Sequence, residues 1–416
     1  MVASTFASLR VRNYKLFFWG QLVSVSGTWM QGTAQSWLVL KELHGGASAL
    51  GLLAGLMMSP TLFLGLWAGL LADRYDRRKI VMATNTWAAL MASVLAVLTL
   101  THSVRLWMVF LVAFGTGLAN AIEMPTRQAF VSELVPVSHV QNAVGLNSAT
   151  FNGGRVFGPA VGGLLIVLVG TGWCFAFNAA SFVAVIVGLA MMRSADMYPR
   201  PRAARARGQI REGLRYAWAS PVLLSTLVLV FIVGLLTLNF QVFLPLLAKE
   251  TFHGGAGMVG IFSATQGAGA LVGSLASARR TAFTPALLAG ATFAVGGSLL
   301  GMAVAPVLVL ELVLVAASGA AFILMMLTAN ATLQLNSAPD KRGRVMALYV
   351  MMFGGTTPFG APLLGLVSAH FGARVGTAVA GSAALGAAST LPVVRRAAER
   401  RVAARRGDEP AFAVGD

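Results

Sequence analysis

The chain has 416 residues, 57% hydrophobic and only 11% charged, with a mean hydropathy of +0.75, which excludes a soluble domain, where about 25% of residues are charged. The net charge of +17 would suit a nucleic-acid binder, but the 31 Lys and Arg are distributed by loop: 26 fall in alternate inter-span segments and the two ends. Four (Lys41, Arg105, Lys249, Arg374) fall in the opposite set of loops and Arg155 inside a span, a positive-inside bias that places both termini in the cytoplasm of an inner-membrane protein.

A membrane-spanning helix needs about 20 apolar residues. Runs of that size predict twelve spans, at roughly 14–40, 47–72, 79–100, 104–125, 139–168, 171–192, 221–248, 256–278, 284–304, 307–330, 342–369 and 373–394. The expected fold class is therefore an all-α membrane protein of two pseudo-symmetric six-helix halves, residues 1–192 and 221–394. Between them lies a basic cytoplasmic linker, 193–220, in which Ile210 to Trp218 reads as an amphipathic helix on the inner leaflet. The tail, 395–416, reads as disordered. Met1 to Asn13, short and basic, reads as carrying no cleavable signal, and the single Cys174 excludes an internal disulfide. Pro136, Pro159 and Gly162 match Pro339, Pro362 and Gly365 at an offset of 203, while Arg77-Arg78 matches Arg279-Arg280 at 202.

Polar residues inside spans are costly and need a reason. In span 1, Gln21, Ser24, Thr28, Gln31 and Gln35 recur every three or four residues and form one stripe. The basic turn after span 2 carries Gly69, Asp73, Arg74, Arg77, Arg78 and Lys79. Span 4 aligns Thr116, Asn120, Glu123 and Arg127; span 5 aligns Gln141, Gly145, Ser148, Asn152 and Arg155. Such stripes cannot face lipid, so they face the bundle or a water-filled cavity. Span 5 also carries Gly154, Gly158 and Gly162 at four-residue intervals, with Gly163 alongside, a smooth packing face bent by Pro159. Span 7 offers Thr237, Asn239 and Gln241, and span 10 offers Thr328 and Asn330. Glu311, early in span 10, reads as a solvated helix end.

Arg155 sits mid-span and demands a counter-charge, for which Glu123 is the nearest candidate. Protonation of Glu123 is expected to couple proton entry to substrate exit, with Arg155 controlling it; the competing reading pairs Glu123 with Arg127 one turn away.

The pattern Gly69-x-x-x-Asp73-Arg74-x-x-Arg77-Arg78 resembles the loop between helices 2 and 3 of the major facilitator superfamily. There it latches helix 2 to helix 11 and releases them as the transporter changes state. The span 5 motif resembles the antiporter motif associated with exporters. Leu9 to Gln21, Gly27 to Gln31, Pro125 to Phe130, Asn142 to Ser148 and Arg342 to Met346 resemble the drug:proton antiporter branch that includes macrolide-efflux and enterobactin-exporter proteins. One motif of other drug:proton antiporters, a helix 4 arginine before a Gly-rich run, is replaced here by Phe114-Gly115-Thr116-Gly117.

The resemblance implies a monomeric secondary transporter, working by alternating access and exporting small amphipathic molecules in exchange for protons, with no nucleotide, cofactor or metal. It places helices 1, 4, 7 and 10 around the cavity. That makes Gln21, Thr28, Trp29, Gln31, Gln35, Asn120, Asn152, Asn239, Gln241 and Asn330 the candidate substrate contacts. The scarcity of charge there favours a neutral or weakly cationic substrate. An importer, a uniporter or a lysophospholipid transporter of the same fold is the alternative. A membrane enzyme is disfavoured because the five histidines are scattered among loops, and a sensor because no signalling domain is appended.

Overall fold

Helix boundaries follow from local chemistry in the computed structural model, which describes residues 6–198, 209–237, 239–278, 283–338 and 341–407. Before the linker run α1 (Arg12–Trp37), α2 (Gly46–Arg74), α3 (Arg77–Leu100), α4 (Leu106–Glu133), α5 (Val140–Val169) and α6 (Thr171–Ala190). The linker carries α7 (Gln209–Ala219). After it come α8 (Pro221–Leu236), α9 (Phe240–Leu246), α10 (Ala256–Ala278), α11 (Pro285–Val304), α12 (Leu308–Leu335), α13 (Arg342–Gly354), α14 (Thr357–Phe371) and α15 (Ala373–Gly407). Asp76 caps α3 by accepting from the Lys79 N–H, and Ser220 and Thr284 cap α8 and α11, each with proline at the first helical position.

Among the described residues, ten helical segments are long and apolar enough to cross a membrane. The first and last predicted spans are helices outside that set. The polar stripe dilutes α1, and Ala, Gly, Ser and Thr dominate the apolar part of α15. Three boundaries differ from expectation. Span 7 is interrupted between Leu236 and Phe240, and span 11 at Gly355-Thr356, beside Gly354 and ahead of Pro358. Broken helices at membrane depth are tolerated only where protein or a cavity covers the freed backbone groups; the first break packs against α15, where the Thr237 hydroxyl donates to the Ala380 carbonyl at 3.2 Å. The last helix also continues past 394 to Gly407, inside the tail expected to be disordered.

Small residues decide how closely the helices approach. A Cβ built on Gly163 of α5 would lie 2.9 Å from Gly260 Cα and 3.1 Å from the Ala256 carbonyl of α10. One built on Gly365 of α14 would lie 2.9 Å from Gly51 Cα and 2.7 Å from the Ala47 carbonyl of α2. The two interfaces are copies of one geometry. Gly163 and Gly365 are 202 positions apart, as are Gly170 and Gly372, which end α5 and α14 at φ 86° and 89°. The structural repeat thus runs one residue away from the 203 offset that the prolines suggested. Arg279, Arg280 and Pro339, the later members of three predicted pairs, lie outside the described residues.

A second repeat lies opposite the chain ends. Lys41-Glu42-Leu43-His44-Gly45-Gly46 after α1 matches Lys249-Glu250-Thr251-Phe252-His253-Gly254-Gly255 after α9. In both, a π-helical turn ends on a histidine at φ near +50° (52° for His44, 50° for His253), and Gly45 and Gly254 each close the turn with a 2.8 Å bond, to Val39 and Ala248.

Candidate functional site

The basic turn after α2 is built as a set of ties. Arg77, at the start of α3, forms an ion pair with Glu133 at the end of α4. Arg78 donates to the Leu189 and Ala190 carbonyls at 2.9 and 3.1 Å and to Ser194 Oγ at 3.0 Å. It therefore caps the end of α6, where helical carbonyls lack partners and the dipole favours a cation. Arg74 is exposed. The described contacts of Arg77 and Arg78 stay among helices before the linker; Gly69 and Asp73 lie outside the residues whose side chains are described. Arg78→Ala is expected to remove all three bonds, costing about 1–2 kcal/mol, and to lower the apparent Tm in a detergent thermal scan.

The span 5 glycines divide their work. Cβ atoms on Gly154, Gly158 and Gly162 would meet Val25, Ser26, Trp29 and Met30 of α1 at 2.6–3.3 Å. That face packs on α1, whereas Gly163 and the Pro159 carbonyl pack on α10.

The polar stripes resolve into different fates. Gln31 accepts from Asn178 of α6 at 2.6 Å, which makes it a packing contact. Thr28, Asn152 and Asn239 bond carbonyls of their own chain four residues earlier. Asn330 accepts from Gln334 at 2.6 Å, and Gln241 is exposed. Gln35 is buried with its Nε2 unbonded, and Asn120 is half-buried on α4.

Two clusters remain. In the first, Arg127 of α4 donates to Gln21 Oε1 of α1 at 3.0 Å and stands 4.0 Å from Glu123 Oε1. In the second, the Arg155 guanidinium of α5 lies 5.8 Å from the centroid of the Trp29 ring, within cation–π reach. Arg155 Nη2 donates to Gln266 Oε1 of α10 at 3.0 Å, and Phe151 meets Trp29 edge-on at 5.8 Å. The expected Glu123–Arg155 pair is therefore not formed. Arg155 reaches the facing helix instead, and Glu123 stands with Arg127 on its own helix. Glu311 also departs from expectation: it is 0% exposed rather than solvated, with neither carboxylate oxygen bonded.

Sequence reasoning missed Gln266, Asn178 and Phe151. Gln266 had a signal, being the one amide in the apolar, glycine-rich α10. The Lys-Glu … His-Gly-Gly repeat, with one residue between in the first copy and two in the second, was equally visible.

The model of a family described as transmembrane secretion effector matches residues 3–409. The staphyloferrin A transporter of Staphylococcus aureus is 24% identical over 364 residues, 86% of this chain and 90% of its own length. The enterobactin exporter EntS of Escherichia coli O127:H6 is 26% identical over 351 residues, covering 82% and 78%. Among solved structures, a bacterial homologue of the human lysosomal transporter Spinster, in an inward-facing and unoccupied conformation, has a TM-score of 0.70 at 13% identity, covering 94% of this chain and 98% of that one.

Proposed function

The chain belongs to the transmembrane secretion effector family of major facilitator transporters, and from that premise we propose that it exports small amphipathic molecules of siderophore or drug type by proton antiport. Twelve helices in two six-helix halves, 1–192 and 221–394, rock about a site between them, with both termini in the cytoplasm and the monomer as the working unit. The observation that carries this reading is the duplicated interface. A Cβ on Gly163 would lie 2.9 Å from Gly260 Cα and a Cβ on Gly365 would lie 2.9 Å from Gly51 Cα, the match that a two-fold relation between halves requires. The names of the similar proteins support a siderophore-like cargo, and the span 5 glycine motif supports export.

On the side opposite the termini, Lys249 Nζ donates to the Leu40 carbonyl at 2.7 Å. This bond joins the first half to the second and acts as a latch that holds that side shut. Lys249→Met loses one charge-assisted bond, and the open state on that side should gain about tenfold in population. Spin labels at His44→Cys and His253→Cys, in a Cys174→Ala background, should then show longer distances.

The deciding experiment uses sealed vesicles holding the purified protein, a pH gradient and an internal pH dye. Proton flux that depends on an added siderophore or drug supports antiport. Export with no proton flux makes the chain a carrier driven otherwise.

A further inference from the structure

We propose that the Arg155–Gln266 pair is the anchor for an acceptor-bearing anion, such as an aromatic carboxylate, and that Gln21–Arg127 repeats the device nearer the termini. The inference rests on the reading of the chain as a transporter with its site between two halves, and it adds the chemistry of the ligand.

An arginine side chain has only donors, so a glutamine beside it must turn its amide oxygen inward and its NH2 group away. The structure contains this arrangement twice. Gln266 Oε1 takes the Arg155 bond and Gln21 Oε1 takes the Arg127 bond, both at 3.0 Å. In each case the amide Nε2 is buried without an acceptor, as is Arg127 Nε. Gln21 and Gln266 are 3% and 4% exposed, so these donors are also largely withdrawn from water. Buried donors without partners are costly, and the two arginines enforce their orientation. What is missing at both places is an acceptor.

The surroundings narrow the class. The Trp29 ring under the guanidinium and Phe151 at its edge form a planar wall. At Arg127 a ligand shares the guanidinium with Glu123 at 4.0 Å. At Arg155, among the described residues, no carboxylate competes, so Arg155 is the anchor. Gln21 and Trp29 are eight residues apart on α1, about 12 Å along its axis. A ligand with acceptors at both ends and that span reaches both pairs. At Arg155 a cationic amine would meet the guanidinium charge and the Gln266 Nε2 donor, contrary to the weakly cationic substrate expected from the sequence.

Three ring compounds of one size test this: salicylate (anionic), salicylamide (neutral) and benzamidine (cationic), in equilibrium dialysis against the full chain in lipid nanodiscs. Wild type should bind salicylate about tenfold more tightly than salicylamide, as a charge-assisted bond does over a neutral one, and benzamidine least. Gln266→Glu, which removes the donors and supplies a carboxylate, should reverse the order in favour of benzamidine. Arg155→Gln, which removes the guanidinium charge, should bring salicylate and salicylamide to equal affinity, and it serves if the first variant does not fold. The proposal is overturned if benzamidine matches salicylate on wild type, if none of the three binds folded protein, or if neither folded variant changes the order. Binding is read without turnover. Salicylate bound with no compound exported would sink the export reading alone, whereas export with indifferent probe binding would sink this inference alone.

Discussion

Gly163→Val is expected to cut transport about a hundredfold while leaving a folded protein in the membrane. The added side chain would start 2.9 Å from Gly260 Cα and 3.1 Å from the Ala256 carbonyl. Both obstacles are backbone, so no rotamer change can relieve the clash. Forcing volume into a packed contact costs about 1–3 kcal/mol, which shifts a two-state equilibrium by about tenfold to a hundredfold. The strain falls between α5 and α10, so it opposes closure on the side away from the termini rather than folding of either half. Gly365→Val, in the twin interface with Gly51, should match it within about threefold. Gly153→Val is the control, because a Cβ there meets nothing within 4 Å. Vesicle transport measures the loss, and label distances between positions 44 and 253 report which state accumulates. Normal transport in Gly163→Val would mean that the α5–α10 contact never tightens in the cycle.

The second large effect is expected at Glu123. Glu123→Gln should abolish proton-driven export yet retain exchange of compound across vesicles without a pH gradient. The carboxylate is buried on α4, bonded by the Asn85 side chain and paired with Arg127 at 4.0 Å, the limit of contact. Arg127 meanwhile spends a 3.0 Å bond on Gln21. A buried carboxylate can release or take a proton as its neighbours move, and glutamine preserves the shape while removing that capacity. Full proton-driven transport in the variant would assign Glu123 to structure alone. Uncoupled exchange would make it the coupling group, acting through Arg127 and not through the Arg155 partnership that spacing suggested.

Much of the architecture was legible because membrane burial leaves a one-dimensional record. Twenty apolar residues must make a helix, so the predicted spans and observed helices agree to within a few residues over most of the chain. Loop charges, glycine intervals and Pro159 were equally local signals. The breaks in spans 7 and 11 were less visible, since Thr237 and Asn239 read as polar positions within a span that stays apolar on both sides, and only Gly354-Gly355-Thr356 hinted at the second. Stripe spacing identified which helix faces are polar but not what each side chain meets. Gln31 turned out to hold α6 through Asn178, and Thr28 its own helix. The repeat register slipped by one because proline marks a bend, and the helix contact next to the bend is made by the glycine one residue later.

What the sequence determined by itself was the class: an all-helical membrane chain, its span positions, and a transporter of the major facilitator type. These follow from hydropathy, length and motif, which depend on neighbours along the chain. What only the tertiary structure decided was partnership. Arg155 could have faced Glu123, yet it reaches Gln266, 111 positions away on α10; Glu311 could have been solvated, yet it is enclosed. Helix rotation and crossing are set by glycine contacts such as Gly163 with Gly260. A rotation of one residue moves a side chain by about 100°, so the pairing of polar groups is fixed only when the helices dock.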